Sequence, residues 1–243
     1  MNCGYMKTNN VLFKYAKNNT SQVGEDGVIE EILKRLNITS GSVLDIGASD
    51  GKWNSNTFTL LQRGFNVYAI EKSKSADKMF ILKETYNNLY PLKIGLTKEK
   101  ESDNHINKVL EILKVPQDLV FMSLDIDSID PWVLEDLDRK PIFFCCEIEP
   151  RYYPLDMIWH NPSGNKDTNP PQNLTGFGPM YKIAKEKGYT LICTTIQNLF
   201  FLRNDMLEAL NSPEVTEVDD LTNFNPKYLS PDNKKRWLAY ERN

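Results

Sequence analysis

Residues 42–52 read SVLDIGASDGK, a short apolar run that leads into a turn of small residues. The apolar residues Val43, Leu44 and Ile46 predict a buried strand. Gly47 and Gly51 can adopt the positive φ angles that a tight turn requires. A turn of small residues also lets a ligand approach the backbone closely. The stretch therefore predicts a strand followed by a ligand-binding turn.

A second strand is predicted at residues 65–73, FNVYAIEKS, and it carries the acid Glu71 near its end. Glu71 lies 20 residues after Gly51, about the separation at which nucleotide-binding α/β folds place a carboxylate for the ribose hydroxyls. Together the two strands predict an adenosine-binding half-site. The turn lacks the middle glycine of the dinucleotide fingerprint, and Asp45 would repel a pyrophosphate. A nicotinamide-binding turn and a purely structural turn are the alternatives.

The composition is that of a soluble globular protein. The 243 residues, 40% apolar content and mean hydropathy of −0.48 predict one α/β domain over 1–243, with its core at about 21–205. No run approaches the ~18–20 apolar residues of a membrane span, and the N-terminus lacks a secretory signal, so we expect a cytoplasmic protein without membrane contact. A net charge of −4 disfavours a nucleic-acid substrate. The four cysteines show no zinc spacing and are expected to be reduced and buried.

Strand and helix patterns alternate through five strands and end in a hairpin. Unalternating apolar strands predicted at 119–130 and 141–150 indicate a sheet covered on both faces. A hairpin is predicted at 189–205, with its turn at Gln197 and Asn198. We therefore predict an α/β fold, a Rossmann-like doubly wound seven-stranded sheet. It is mostly parallel with a C-terminal antiparallel hairpin, and ligands bind at the carboxyl ends of its strands.

Three further segments carry predictions of their own. Residues 151–177 are rich in Pro, Asn and Gly and predict a lid loop, and residues 212–243 predict a polar tail with one helix. Near the amino end, Asp26 is expected to cap a helix whose apolar residues recur at helical spacing up to Leu36.

Acids cluster where the fourth and fifth strands are predicted to end. Alternation along a strand would place Asp125 and Asp127 on one face, and Glu147 and Glu149 on one face of the neighbouring strand. Four converging carboxylates need a cation, a protonated partner or strong solvation. A divalent metal such as Mg²⁺ would satisfy them, and it would lower the pKa of a substrate hydroxyl and orient it. The alternative, which we expect for Asp130, is that an acid caps the next helix and faces water.

Both histidines are candidate functional groups. His160 lies in the predicted lid beside Trp159, where substrate contact, general-base work and simple packing are all open. His105 begins a polar helix and is expected at the surface. Lys72 directly follows Glu71 and is either a cofactor contact or a solvated lysine.

The chain resembles the FkbM-like branch of class I S-adenosylmethionine (SAM) methyltransferases. The matching stretches run in order across most of residues 21–202: SQVGEDGVIEEIL, VLDIGASDGKWNSNT, VYAIEKS, MSLDIDSIDPWVLEDL, FFCCEIEP and KGYTLICTTIQNLFFL. The resemblance implies methyl transfer from SAM to an oxygen of a sugar or other small molecule, assisted by a divalent metal such as Mg²⁺.

The residue patterns and the resemblance together give the candidate site residues. The predicted cofactor contacts are Gln22, Asp26, Asp45, Gly47, Ala48, Ser49, Gly51, Glu71, Lys72 and Asp125. The predicted metal ligands are Asp125, Asp127, Glu147 and Glu149. The predicted catalytic residues are Asp125, Asp127, Glu149 and His160.

Two functions compete with this prediction. One is a SAM-binding partner subunit without chemistry of its own, and the other is an NAD-dependent oxidoreductase. An RNA methyltransferase is disfavoured by the acidic balance and by the absence of a basic stripe. The expected partner is a small-molecule or sugar acceptor, and a homodimer stays open.

Overall fold

Seven strands form a single mixed sheet in the computed structural model, which describes residues 10–152, 154, 156–161, 163, 174–210 and 231–232. The strands are β1 (Ser42–Ile46), β2 (Asn66–Glu71), β3 (Leu89–Lys93), β4 (Phe121–Leu124), β5 (Phe143–Glu147), β6 (Tyr189–Thr194) and β7 (Asn198–Arg203). Their order is β3-β2-β1-β4-β5-β7-β6. Strands β1 to β5 are parallel, and β7 runs antiparallel to both β5 and β6. The predicted doubly wound sheet with a C-terminal antiparallel hairpin is confirmed.

Helices cover both faces of this sheet. They are α1 (Glu25–Arg35), α2 (Phe58–Gln62), α3 (Ala76–Lys83), α4 (Ile106–Ile112), α5 (Asp130–Asp136) and α6 (Phe177–Glu186). Helices α1 to α3 and a short 3₁₀ helix, Val11–Tyr15, pack on one face, and α4 to α6 pack on the other. None of the described helices is long and apolar enough to cross a membrane. Cys145 and Cys146 point to opposite faces, and both are buried free thiols, as predicted.

The order of the strands fixes where a ligand can bind. The chain builds outward from β1 to β3 and then crosses back to place β4 on the other side of β1. At such a reversal the connections leave β1 and β4 in opposite directions, so a crevice opens at their carboxyl ends. The turn after β1 and the acids after β4 both lie at this crevice.

Strands β4 and β5 are shorter than predicted. The ladder of β4 stops after Asp125 N donates to Ile46 O. Asp127 then takes a positive φ of 55°, and the Asp130 carboxylate accepts hydrogen bonds from the backbone N–H groups of Ile126 and Ser128. Asp130 is buried by these contacts, so the expectation that it caps α5 and faces water was wrong. The acid-rich end of β4 forms a turn because the Asp130 carboxylate takes N–H groups that a ladder would need.

A carboxylate likewise organises the segment before α1. Asp26 Oδ2 accepts from the backbone N–H groups of Asn19, Thr20 and Ser21 at 2.7–2.8 Å. The helix begins at Glu25, so Asp26 lies inside its first turn and binds the loop before it. The expected capping role was therefore wrong: the N-cap of α1 is Gly24, and the Asp26 carboxylate accepts from the loop N–H groups instead.

His105 and the hairpin turn also differ from expectation. His105 is buried, because its Nε2 lies 3.1 Å from Asp136 Oδ2 on α5. The hairpin turns at residues 195–197, where Thr195 N donates to Asn198 O, and Asn198 already belongs to β7. The predicted tail helix and much of the predicted lid lie outside the described residues.

Candidate functional site

A cavity of about 490 Å³ opens at the carboxyl ends of β1, β2, β4 and β5. This volume falls within the range of roughly 300–1,000 Å³ that small-molecule sites occupy. Most of its lining, apart from the turn after β1, Trp53 and Lys72, belongs to three chemical groups. The acids are Asp45, Glu71, Asp125, Asp127 and Glu147; the aliphatic residues are Ile70, Ile94, Leu96 and Ile126; the uncharged polar residues are Gln22, Asn54, Ser55, Asn56, Ser123 and Ser128. Within the described lining, Lys72 is the only cation.

The turn after β1 is held against both neighbouring strands. Gly47 N donates to Ile70 O at 2.9 Å, and Gly47 has a φ of 94°. A Cβ atom at this position would lie 1.6 Å from Asp125 O. Only glycine fits here, for steric as well as conformational reasons. The turn is thereby pressed into the crevice between β2 and β4, where Ala48 and Ser49 line the cavity.

Glu71 is the last residue of β2. Its Oε2 accepts from Ser49 N at 3.0 Å, and its Oε1 accepts from Ser73 N at 2.7 Å. These two bonds fix the carboxylate at the cavity wall, and each oxygen keeps further capacity to accept a hydrogen bond. Glu71 can therefore receive ribose hydroxyls, and Lys72 lies beside it in the lining.

Asp45 lies at the base of the cavity and is almost fully buried. Thr57 Oγ1 donates to its Oδ2 at 2.6 Å, which stabilises the ionised form. Burial opposes this, and together with the charges of Asp125 and Glu71 it raises the pKa of Asp45 to about 7. A cationic group in the cavity would stabilise the ionised carboxylate by pairing with it.

Asp125, Asp127 and Glu147, which we call the acid trio, come together as predicted. Their carboxylate oxygens lie within 4.8 Å of one another. The pKa of Glu147 is raised well above its usual range because the side chain is buried, hydrogen-bonds to Asp125 and lies near other carboxylates. The pKa of Asp125 is raised as well, chiefly by burial. In the absence of a cation, we assign the shared proton to Glu147, which donates to Asp125. Three hard oxygen donors around one point fit a divalent cation such as Mg²⁺.

Glu149 does not join the acid trio. Arg151 binds both of its oxygens, with Nε 2.6 Å from Oε1 and Nη2 2.6 Å from Oε2. Because β5 ends at Glu147, the strand alternation expected at this position is lost, and Glu149 N bonds to Thr175 O instead. Glu149 therefore forms an ion pair with Arg151 outside the cavity lining. It does not lie where the predicted metal and catalytic roles would require it.

Three other predicted site residues lie outside the cavity lining. The Asp26 carboxylate is engaged by the loop before α1, and Gly51 lies beneath the turn, facing Met79. His160 is half-buried, and its neighbour Trp159 packs against Trp132 with ring centroids 5.1 Å apart. The predicted cofactor contacts that do line the cavity are Gln22, Asp45, Gly47, Ala48, Ser49, Glu71, Lys72 and Asp125.

Sequence reasoning missed the polar residues that follow the turn and one on β4. Asn54, Ser55 and Asn56 line the cavity, as do the exposed Trp53 and the buried Ser123. A serine inside the apolar stretch FMSL was a usable signal, because a polar residue in a strand covered on both faces requires a partner. The run WNSN between turn and helix was a weaker signal.

Comparisons with known proteins give distant likenesses. No family model and no curated protein matches the sequence. Solved structures similar to this chain include a SAM-dependent methyltransferase from Aquifex aeolicus, at 19% identity over 71% of this chain and 87% of that one, with a TM-score of 0.42. The N-terminal domain of EvdMO1 with SAH bound is 10% identical over 73% and 79%, with a TM-score of 0.46. Cofactor-bound Rv0187 from MTB is 11% identical over 81% and 86%, with a TM-score of 0.46.

Proposed function

We propose that this chain is a SAM-dependent O-methyltransferase of the FkbM-like branch, acting on a hydroxyl of a sugar or other small molecule. The observation that carries the proposal is the negative charge of the cavity, which lies where the strand order reverses. Five carboxylates and one lysine line it in the described part of the chain. SAM carries a sulfonium and an ammonium against one carboxylate and suits such a site, whereas the pyrophosphate of a dinucleotide would be repelled.

The aliphatic part of the cavity lining suits an adenosine. Ile70, Ile94, Leu96 and Ile126 offer an apolar slot for a flat base. Glu71 lies beside Ile70 at the end of β2, with its carboxylate fixed by two backbone N–H groups. The combination of an apolar slot and a fixed carboxylate supports binding of a base and its ribose.

The acid trio supports transfer to an oxygen. An acceptor hydroxyl held in line attacks the methyl carbon, the electron pair of the carbon–sulfur bond returns to sulfur, and neutral S-adenosylhomocysteine (SAH) leaves. The hydroxyl proton must go to a base, and the carboxylates of Asp125 and Asp127 are available for it. Most of the rate would come from positioning the two reactants. A divalent cation held by the trio would supply a lowered pKa and a fixed orientation for the hydroxyl.

Calorimetric titration of the protein with SAH, with and without Mg²⁺, tests this proposal. Micromolar binding of SAH and no binding of NAD is the expected result. Preference for NAD would favour an oxidoreductase and would contradict the proposal. If SAH binds, tritium transfer from labelled SAM to a panel of sugars and small alcohols separates an enzyme from a partner subunit without chemistry.

A further inference from the structure

A row of polar side chains crosses the base of the cavity on the sheet itself. Asp45, Ser123 and Cys145 are register partners on β1, β4 and β5. All three are buried, and Cys145 packs in the core on the side of α1 to α3. Polar atoms in the middle of a covered sheet require hydrogen-bond partners, and the loop after the turn supplies them.

Asn56 and Thr57 are these partners. Asn56 Nδ2 donates to Ser123 Oγ at 3.0 Å and to Cys145 Sγ at 3.5 Å, and Thr57 Oγ1 donates to Asp45. The Cys145 thiol donates in turn to Ser123 Oγ, so its sulfur faces Asn56 as an acceptor. In this arrangement the amide nitrogen of Asn56 lies on the sheet side.

An amide nitrogen has two protons, and both protons of Asn56 are used on the row. The capacity that Asn56 can offer to a ligand is therefore its carbonyl Oδ1, which only accepts. Asn56 is half-buried and lines the cavity, and its neighbour Thr57 bonds to the Asp45 carboxylate, a second acceptor. Two acceptors of this kind suit a group that only donates, and they would repel a carboxylate.

We propose that Asn56 Oδ1 accepts a hydrogen bond from the ammonium group at the amino acid end of SAM or SAH, next to Asp45. This assignment rests on the proposed function. An ammonium carries three N–H donors and no acceptor, so it complements this base. Hydrogen bonds to Ser123 and Cys145 fix the orientation of the amide. Asn56 therefore binds the ligand through its remaining polar atom, Oδ1.

Two ligands and three variants test the assignment. 5′-Methylthioadenosine keeps the adenosine and the sulfur of SAH but lacks its amino acid end. Asn56→Ala should weaken SAH binding about ten- to a hundredfold, the usual worth of a hydrogen bond to a charged group. It should leave binding of 5′-methylthioadenosine within about twofold. Asn56→Asp is the matched control, because a carboxylate oxygen still accepts and Ser123 can donate to it, so SAH binding should be retained.

The outcomes separate this assignment from the function on which it rests. Equal weakening of both ligands by Asn56→Ala would indicate a structural role and would overturn the assignment, as would unchanged binding of SAH. Failure of the wild-type protein to bind SAH would overturn the proposed function and the assignment with it. Ser123→Ala tests the same contact without altering Asn56: loss of its anchor should weaken SAH several-fold and spare 5′-methylthioadenosine, and equal weakening again contradicts the assignment.

Discussion

Two groups of acids in this protein have their carboxylates satisfied in opposite ways. The N-terminal acid pair, Glu25 and Asp26, is buried, and its oxygens accept from backbone N–H groups and from hydroxyl and amide side chains. The acid trio of Asp125, Asp127 and Glu147 faces a cavity, and its closest partners are its own members. The pair has the donors it needs within the protein, whereas the trio needs a proton or a cation from outside.

This difference distinguishes acids that stabilise the fold from acids that are candidates for ligand binding. A buried carboxylate with a full set of donors stabilises the fold and has little capacity for a ligand. A group of carboxylates that share one proton is costly in the folded protein, and such sites are candidates for function. Three measurements test this contrast, and the effect we expect decreases from the first to the third.

Removal of Asp26 should give the largest effect on stability. Asp26→Ala leaves three backbone N–H groups of the preceding loop without their acceptor, at about 1–3 kcal/mol for each one that water cannot reach. We expect a loss of roughly 3 kcal/mol or more in the free energy of unfolding, measured by urea denaturation. Asp125→Asn is the matched control on the trio and should cost little stability while abolishing turnover. Equal losses in the two variants would erase the contrast.

The pKa of Asp45 predicts a pH dependence of intermediate size. The folded protein keeps a proton on Asp45 up to about pH 7, whereas the unfolded chain loses it near the usual value of 3.8. The folded state therefore binds more protons between about pH 4 and 7, and its stability falls as the pH rises through that window. A tenfold difference in acidity between the two states corresponds to roughly 1.4 kcal/mol, so the whole effect amounts to a few kcal/mol.

Asp45→Asn should remove this part of the pH dependence. Urea unfolding at pH 4.5, 6 and 8 should show the variant gaining stability relative to the wild-type protein as the pH rises. Parallel profiles would mean that Asp45 is ionised throughout and behaves like the N-terminal acid pair.

Binding of a divalent cation to the trio should give the smallest effect. A concentration of Mg²⁺ about tenfold above its dissociation constant adds roughly 1.4 kcal/mol to stability. For a chain of this size that corresponds to a rise of about 3–6 °C in Tm, measured by differential scanning fluorimetry. Asp127→Asn should reduce the rise, and Glu149→Gln should leave it intact, because Glu149 pairs with Arg151 outside the trio. An equal rise in all three proteins would place the cation elsewhere.

The fold was predictable because it depends on local signals. Continuous apolar strands, the glycine turn at Gly47 and the hairpin after Gly188 gave the doubly wound sheet without knowledge of any long-range contact. The positions of Asp45, Glu71 and Asp125 at the cavity followed from the rule that ligands bind at the carboxyl ends of strands.

The errors arose where a side chain replaced a backbone partner. Asp26 and Asp130 bind N–H groups of turns that precede them, and Arg151 takes up Glu149. Strand alternation stops at such places, so counting residues past the end of a strand gives the wrong face. Asn56 was missed because its partners Ser123 and Cys145 are distant from it in sequence and meet it only across the sheet.

The contacts of the amino end also affect the order in which the protein can fold during its synthesis. Asn10 binds Thr194, and Glu25 accepts from Thr195 and Asn198, partners more than 165 residues away. At about 5–20 residues per second, a ribosome needs roughly ten seconds or more to make the intervening chain. Until then Glu25 lacks its side-chain donors, whereas Asp26 finds its loop partners at once. We expect a nascent chain that stops before β7 to leave the amino end open to proteases.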